Sequence, residues 1–97
     1  ENAPDDWQAQ YRLASAQAAL NNHDEALDLY LPLLEKHPAD PLFYANVSKT
    51  LIALERFEAA NKVLELGFKA ANQTKNTDAI AQLQVVADQL KQAAQKP

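Results

Sequence analysis

The side chains best suited to catalysis or metal binding are two histidines, His23 and His37, and three neighbouring acids, Asp24, Glu25 and Asp28. The chain has no Cys, which excludes thiolate nucleophiles and Cys-based metal sites. Catalysis needs a nucleophile with a base, a paired acid and base, or a metal cluster, and the sequence has no such grouping. We therefore predict no catalytic residue, no metal and no cofactor, and we expect that the protein is not an enzyme.

Each of these residues has a structural interpretation. The acids open a helical stretch and His37 closes it, and both placements suit the helix dipole. His23 lies at a turn, where we expect packing or a turn contact. Trp7 is the only tryptophan, and we interpret it as a hydrophobic lid over the start of the first helical unit.

Composition narrows the class of protein. The 97 residues are 47% hydrophobic with a single Gly, which favours one small helical domain over a β-sandwich or a disordered chain. The net charge of -4 argues against nucleic acid as a partner, and no apolar run approaches the roughly 20 residues of a membrane span. We expect a soluble protein, cytoplasmic or periplasmic, which is processed or is part of a larger polypeptide or complex.

Helix signals divide the chain into a flexible lead-in and five stretches. Asp40 followed by Pro41 is a strong start signal, because Asp accepts the free N–H groups of the first turn and Pro suits the first position. The polar run over 72–77 is predicted to be the longest linker. The lead-in covers residues 1–6, and four helices are predicted over 7–20, 24–36, 41–54 and 57–71. A fifth follows the linker within the segment 75–95.

The chain repeats itself at an offset of 34 in sequence number. The paired positions agree in size class, and small residues recur where two closely crossing helices need them. The pairs are Leu13 with Val47, Ala14 with Ser48, Leu20 with Leu54, His23 with Phe57, Ala26 with Ala60, and Tyr30 with Leu64. A helix-turn-helix unit of this period indicates a solenoid.

This pattern resembles the tetratricopeptide repeat, whose unit has about 34 residues. The resemblance covers roughly residues 7–72, in unit 1 (7–40) and unit 2 (41–74). Some residues differ from those that the family has at the same places of its unit, namely Gln10, Gln17 and Leu33 in unit 1 and Asn72 in unit 2. It implies an all-α, right-handed solenoid of about five antiparallel helices in a single domain. The fifth helix (75–95) continues the repeat poorly, so we expect it to cap the array.

The resemblance also implies a binding surface, since the first helix of each unit lines a concave groove that commonly binds a peptide or a partner helix. The two inner stretches contain one charge each, both positive, and no acid. We therefore expect an acidic or C-terminal peptide as partner. Some members of the family bind the C-terminal tail of a chaperone through a set of side chains that grips its carboxylate. Tyr11 and Ser15 replace two of those side chains, so we do not expect a chaperone tail as partner. The candidate binding residues are Tyr11, Arg12, Ser15, Leu42, Asn46, Lys49 and Ile52.

A second hypothesis is self-association. Apolar residues of the fifth helix, including Leu83 and Leu90, alternate at spacings of three and four, which is also the spacing of a coiled coil. Two units are fewer than a repeat array usually needs for stability, so a second copy is an alternative source of support. On this hypothesis the protein is a structural domain that forms a homodimer through its C-terminal helix.

Overall fold

The computed structural model describes residues 7–95, and five helices account for nearly all of them. They are α1 (Trp7–Ala19), α2 (His23–Lys36), α3 (Pro41–Ala53), α4 (Phe57–Thr74) and α5 (Thr77–Ala94). No strand occurs in the described residues, and the predicted all-α class is confirmed. The predicted lead-in, residues 1–6, lies outside the described part of the chain.

Asp40 and Asn76 start α3 and α5 as side-chain caps. The Leu42 N–H donates to Asp40 Oδ1 at 3.1 Å, as the sequence predicts, and the Ala79 N–H donates to Asn76 Oδ1 at 3.0 Å. Each contact satisfies a backbone N–H that has no partner within its helix. These caps fix where the two helices begin.

The predicted linker over 72–77 is wrong, because α4 continues to Thr74. Its last turns are held by Ala70 and Ala71, which are buried in the core. Lys75 then ends the helix with a left-handed φ of 55°, so the connection to α5 contains only Lys75 and Asn76. The division into residues 7–40, 41–74 and 75–95 stays a prediction.

The two helix-turn-helix connections repeat at the level of individual hydrogen bonds. The Asn22 N–H donates to the Gln17 carbonyl at 2.8 Å, and one repeat later the Arg56 N–H donates to the Leu51 carbonyl at the same distance. Hydrogen bonds of this kind close the end of a helix that is followed by a residue with a left-handed backbone conformation, as in a Schellman motif. The period found in the sequence is therefore a period of backbone structure as well as of side-chain size.

Small side chains lie where helices pack together. The paired positions Ala14 and Ser48, and likewise Ala26 and Ala60, are each fully buried. Each helix packs on its successor in the chain, and α3 also packs on α5. Small residues allow the helix backbones to approach closely, which gives each unit the same internal arrangement.

The α5 helix closes the array on both helices of the second unit. It packs against α3 and α4, with Leu83 fully buried and Leu90 8% exposed. The apolar seam that also suits a coiled coil is therefore covered by the protein's own chain. This packing supports the expected capping position of α5.

At the other end, α1 leaves apolar side chains uncovered. Leu13 is 49% exposed and Leu20 is 69% exposed, whereas Val47, which pairs with Leu13 in the repeat, is fully buried. The difference arises because α3 is covered by α2, and in the described residues no helix covers the corresponding side of α1. The two units therefore have the same interior and different surroundings.

Candidate functional site

Two predicted binding residues, Tyr11 and Asn46, join the inner helices of the two units. The Asn46 side-chain N–H donates to the Tyr11 hydroxyl oxygen at 2.9 Å. The Tyr11 ring also packs edge-on against Tyr30 and Phe43, with centroid distances of 6.0 and 5.6 Å. Tyr11 is thus half-buried and engaged through both its ring and its hydroxyl, so it is a structural contact between α1, α2 and α3.

Ser15 is engaged in the same region. Its hydroxyl shares a hydrogen bond of 3.1 Å with the Tyr30 hydroxyl, which links α1 to α2. Burial raises the pKa of Tyr30, the bond with Ser15 lowers it, and the neighbouring Tyr11 raises it. Tyr30 is a neutral, buried member of this network, and Ser15 contributes to the internal structure of unit 1.

Asn46 and Lys49 lie between two depressions of the inner surface. The first, which we call the inner groove, has a volume of about 220 Å³ and runs between α3 and α5. The second, which we call the turn pocket, has a volume of about 170 Å³ and lies among α1, α2 and α3. The inner groove is lined by Ala45, Asn46, Lys49, Gln82, Val85, Val86 and Gln89. The turn pocket is lined by Ala18, His23, Tyr30, Asn46, Lys49 and Thr50.

The inner surface is positively charged. Lys49 is the single Lys, Arg, Asp or Glu among the described residues that line the two depressions. Arg12 is exposed on α1, and α1 and α3 contain no acid. Since the chain as a whole has a net charge of -4, the inner surface has the opposite sign to the rest of the protein.

The structure brings four predicted residues together and leaves three outside. Tyr11, Ser15 and Asn46 lie in one hydrogen-bonded region, and Lys49 lies beside it at the two depressions. The other three do not line either depression. They are Arg12, which is exposed, Leu42, which is 38% exposed, and Ile52, which is half-buried against the core.

The sequence analysis missed the contribution of α5 to this surface. Gln82 and Gln89 flank the inner groove, and Val85 between them is 56% exposed. Their spacing of three and four residues places all three on one side of the helix, which is a signal present in the sequence. The sequence analysis interpreted α5 as a cap and did not consider it as part of a binding surface.

The histidines and the acids do not form a metal site. No group of three or more His, Cys, Asp or Glu residues within 7–95 is placed to hold an ion. The acids near the start of α2 are exposed, and Asp24 lies 3.9 Å from Arg56. The His37 ring packs against Trp7 and Phe43, with centroid distances of 5.3 and 5.5 Å.

Trp7 forms the third member of that cluster. Its ring is half-buried and lies 5.7 Å from Phe43 in an edge-on arrangement. It therefore covers the junction between α1, the end of α2 and the start of α3, whereas the sequence predicted a lid over the start of the first unit. The Tyr44 hydroxyl strengthens the same loop by donating to the Pro38 carbonyl at 2.7 Å.

Three larger depressions lie away from the inner surface. The first, of about 580 Å³, follows the loop between α2 and α3, and the second, of about 460 Å³, lies between α4 and α5. The third, of about 510 Å³, lies at the start of α4. The second has an apolar floor that includes Phe68 and Leu90, with Glu65, Asp88 and Lys91 around it. None of the three is lined by a predicted binding residue.

The architecture defines a class of protein: a helical repeat of two helix-turn-helix units with a closing helix. Residues 7–49 match the family model described as tetratricopeptide repeat. The resemblance drawn from the sequence period is thereby confirmed over these residues. No curated protein and no solved structure matches the chain significantly.

This similarity has a functional consequence. Tetratricopeptide repeats are in general non-catalytic modules for protein–protein interaction, so a protein partner is indicated. The helices within the described residues include none that is long and apolar enough to cross a membrane.

Proposed function

We propose that the protein is a non-catalytic interaction module that binds an extended peptide or a partner helix along its inner surface. The observation that carries this proposal is the inner groove, where Lys49 provides the charge and acids are absent from the lining described above. A positive site on a negative protein favours a partner with an exposed carboxylate. The expected ligand is therefore an acidic or C-terminal peptide.

Each lining residue offers a distinct contact. The exposed Lys49 ammonium suits a carboxylate, and Val85 presents an exposed apolar surface to a side chain. The amides of Gln82 and Gln89 each have donors and an acceptor that match the backbone of an extended peptide. This combination of a few polar groups around an apolar contact is typical of a recognition site.

The proposal is tested with a library of random peptides that end in a free carboxylate. Peptides selected by the purified protein are titrated by isothermal calorimetry into wild type, Lys49→Glu and Lys69→Glu. Lys69 is an exposed lysine on α4, outside the inner groove. The Lys69→Glu substitution therefore makes the same change of charge away from the proposed site. We expect at least tenfold weaker binding by Lys49→Glu alone, and equal affinity of all three proteins contradicts the proposal.

Nuclear magnetic resonance gives a second, direct reading of the same interaction. The side-chain amide signals of Asn46, Gln82 and Gln89 are expected to shift when the selected peptide is added, because these groups line the inner groove. Shifts confined to Asn61 and Gln84, which line the depression between α4 and α5, would place the ligand on another face.

Self-association through α5 remains the alternative hypothesis, although its predicted seam is covered. Leu83 and Leu90 are buried within the chain, so a dimer would need another surface of this helix. Sedimentation equilibrium over a range of concentrations separates the two hypotheses. A tight dimer whose affinity falls on Val85→Asp favours assembly through α5, since Val85 is the exposed large apolar residue of that helix.

A further inference from the structure

Four apolar residues form an exposed stripe along the first helix. They follow one another at spacings of four, three and four residues, so their side chains lie on one side of α1. Leu13 is 49% exposed, Leu20 directly after the last residue of α1 is 69% exposed, and both alanines are exposed. We call this set the outer stripe, and its members are Ala9, Leu13, Ala16 and Leu20.

The corresponding places of α3 and α5 are covered within the chain. They are the third, seventh, tenth and fourteenth places, counted from the first residue of each helix. Seven of the eight side chains there are at most 8% exposed, and the eighth, Leu54, packs against the core. In α3 they are Phe43, Val47, Thr50 and Leu54, and in α5 they are Ala79, Leu83, Val86 and Leu90. A helix of this array therefore packs on its neighbours through these places, and in α1 they are exposed.

The outer stripe alternates strictly between small and large side chains. If two copies of α1 lie antiparallel, with a two-fold axis level with the midpoint between residues 14 and 15, every leucine meets an alanine. Leu13 then faces Ala16 of the second copy, and Leu20 faces Ala9. The contacts are reciprocal, as a two-fold axis requires. The alanines let the two helices approach closely, and the leucines fill the space between them.

The same geometry fails for the stripes of α3 and α5. It would set Phe43 of one helix against Leu54 of the other, and in α5 it would set Leu83 against Val86. Two large side chains in one layer hold closely paired helices apart. Self-complementarity is thus found in the helix whose stripe is exposed, and it favours a second copy of this chain over an unrelated helix as the occupant.

The flanks of the outer stripe allow this pairing electrostatically. Arg12 is the single Lys, Arg, Asp or Glu of α1. In the antiparallel arrangement it lies beside Ala19 of the second copy, and on the other flank Gln10 lies beside Gln17. Like charges therefore do not face one another across the pair of helices.

We propose that the outer stripe is covered by the outer stripe of a second copy of this chain, which forms an antiparallel homodimer through α1. This inference goes beyond the proposed peptide binding, because none of the four residues lines the inner groove or the turn pocket. It also differs from assembly through α5, where Leu83 and Leu90 are buried within the chain. One pair of short helices is a small interface, so we expect a dimer of modest affinity.

Sedimentation equilibrium tests the dimer at protein concentrations up to about 1 mM, where even a weak dimer forms. The variant is Leu13→Asp, which places a charge at the centre of the pairing, and unchanged circular dichroism verifies the fold. Val85→Asp is the matched control, because it makes the same change of charge at an exposed apolar residue of α5. We expect wild type and Val85→Asp to dimerise alike and Leu13→Asp to dimerise at least tenfold more weakly, since burial of an unpaired charge is unfavourable.

Disulfide cross-linking tests the antiparallel direction without disturbing the centre of the pairing. The chain has no Cys, so a single introduced Cys reports its own surroundings. Ala9→Cys and Leu20→Cys proteins are expected to cross-link when mixed and not when each is oxidised alone. In the antiparallel pair, like positions lie about 16 Å apart along the helix axis, which is too far for a disulfide. Val85→Cys mixed with either protein is the control and is expected to give no cross-link.

The outcomes decide between the possible occupants of the outer stripe. A wild-type protein that stays monomeric at every concentration overturns the proposal, and so does a dimer that Val85→Asp weakens as much as Leu13→Asp does. Cross-links between like positions overturn the antiparallel arrangement. If wild type is monomeric while a synthetic peptide of residues 23–36 shifts the nuclear magnetic resonance signals of Leu13 and Leu20, the outer stripe receives a helix of another kind and not a second copy. Peptide binding in the inner groove is measured separately with Lys49→Glu, so either proposal can fail while the other stands.

Discussion

Asn21 and Glu55, which take equivalent places in the two units, both have a left-handed backbone, with φ of 66° and 62°. Each is the residue before the N-cap of the next helix, so the two turns are equivalent. Asn adopts this conformation more readily than Glu, because its short polar side chain bonds locally. The second turn therefore stores strain that the first turn avoids.

Exchange of these two residues tests that strain. We expect Glu55→Asn to raise the free energy of unfolding by about 0.5 kcal/mol and Asn21→Glu to lower it by about as much, following the preference for this backbone region. Urea unfolding monitored by circular dichroism measures both changes. If both substitutions change the free energy of unfolding in the same direction, this explanation is contradicted.

The buried hydroxyl of Ser48 predicts a stabilising substitution. Ser48 is fully buried, and its Oγ has no hydrogen-bond partner within the described residues. Ser48→Ala removes this unpaired group and matches Ala14 of unit 1, so we expect stability to rise by about 1 kcal/mol. The control is Ser15→Ala, which loses the bond to Tyr30 and is expected to be less stable than wild type. Thermal unfolding of both variants checks the opposite signs.

Gly67 shows how closely α3, α4 and α5 meet. A Cβ atom at this position would lie 2.7 Å from Tyr44 Cβ and 3.0 Å from Leu83 Cδ2. In an exposed helix a Gly→Ala substitution stabilises the protein by about 1 kcal/mol, whereas an overpacked core destabilises it by about 1–3 kcal/mol. We expect Gly67→Ala to destabilise the protein because the Tyr44 contact cannot relax by a side-chain rotation alone.

Asn61→Ala is the control for Gly67→Ala, since Asn61 is exposed on the same helix. It improves helix propensity without a new close contact and is expected to leave stability unchanged or slightly higher. The urea concentrations at the midpoint of unfolding are compared for the two variants, with the same slope of unfolding free energy against urea concentration. A gain in stability for Gly67→Ala would mean that α3 and α4 move apart at little cost.

The raised pKa of Tyr30 predicts a loss of stability in alkali. The unfolded chain releases the Tyr30 proton near pH 10, whereas the folded protein holds it to higher pH. The stabilising contribution is therefore complete below pH 10 and is lost as the pH rises from there through the folded pKa. Tyr30→Phe cannot ionise, so its stability is expected to fall less steeply. Urea midpoints between pH 9 and pH 11.5 measure the two slopes.

The sequence predicts the five helices because each has a regular apolar pattern or a start signal, as Asp40 and Pro41 do for α3. It fails at the end of α4, because polar residues 72–74 belong by type to a loop and are held in the helix by the burial of Ala70 and Ala71. Local composition does not reveal such packing.

For a similar reason, the arrangement of the candidate site could be predicted only in part from the sequence. Lys49 and Asn46 were identified from their positions in the repeat, and the structure places both at the inner groove. Tyr11 was another candidate, but its hydroxyl accepts a hydrogen bond from Asn46, which is distant in sequence and lies in the other unit. Gln82 and Gln89 depend on how α5 docks, and one helix alone does not determine its docking angle.

Trp7, the only tryptophan, lies at one end of the array against His37 and Phe43. Its intrinsic fluorescence therefore reports the docking of α1 on the loop between α2 and α3, whereas the helical signal sums over all five helices. Because α1 has no neighbour on its outer side in the described structure, it is the element most exposed to fraying. A fluorescence transition that precedes the loss of helix would mean that the repeat unfolds from its first unit inward.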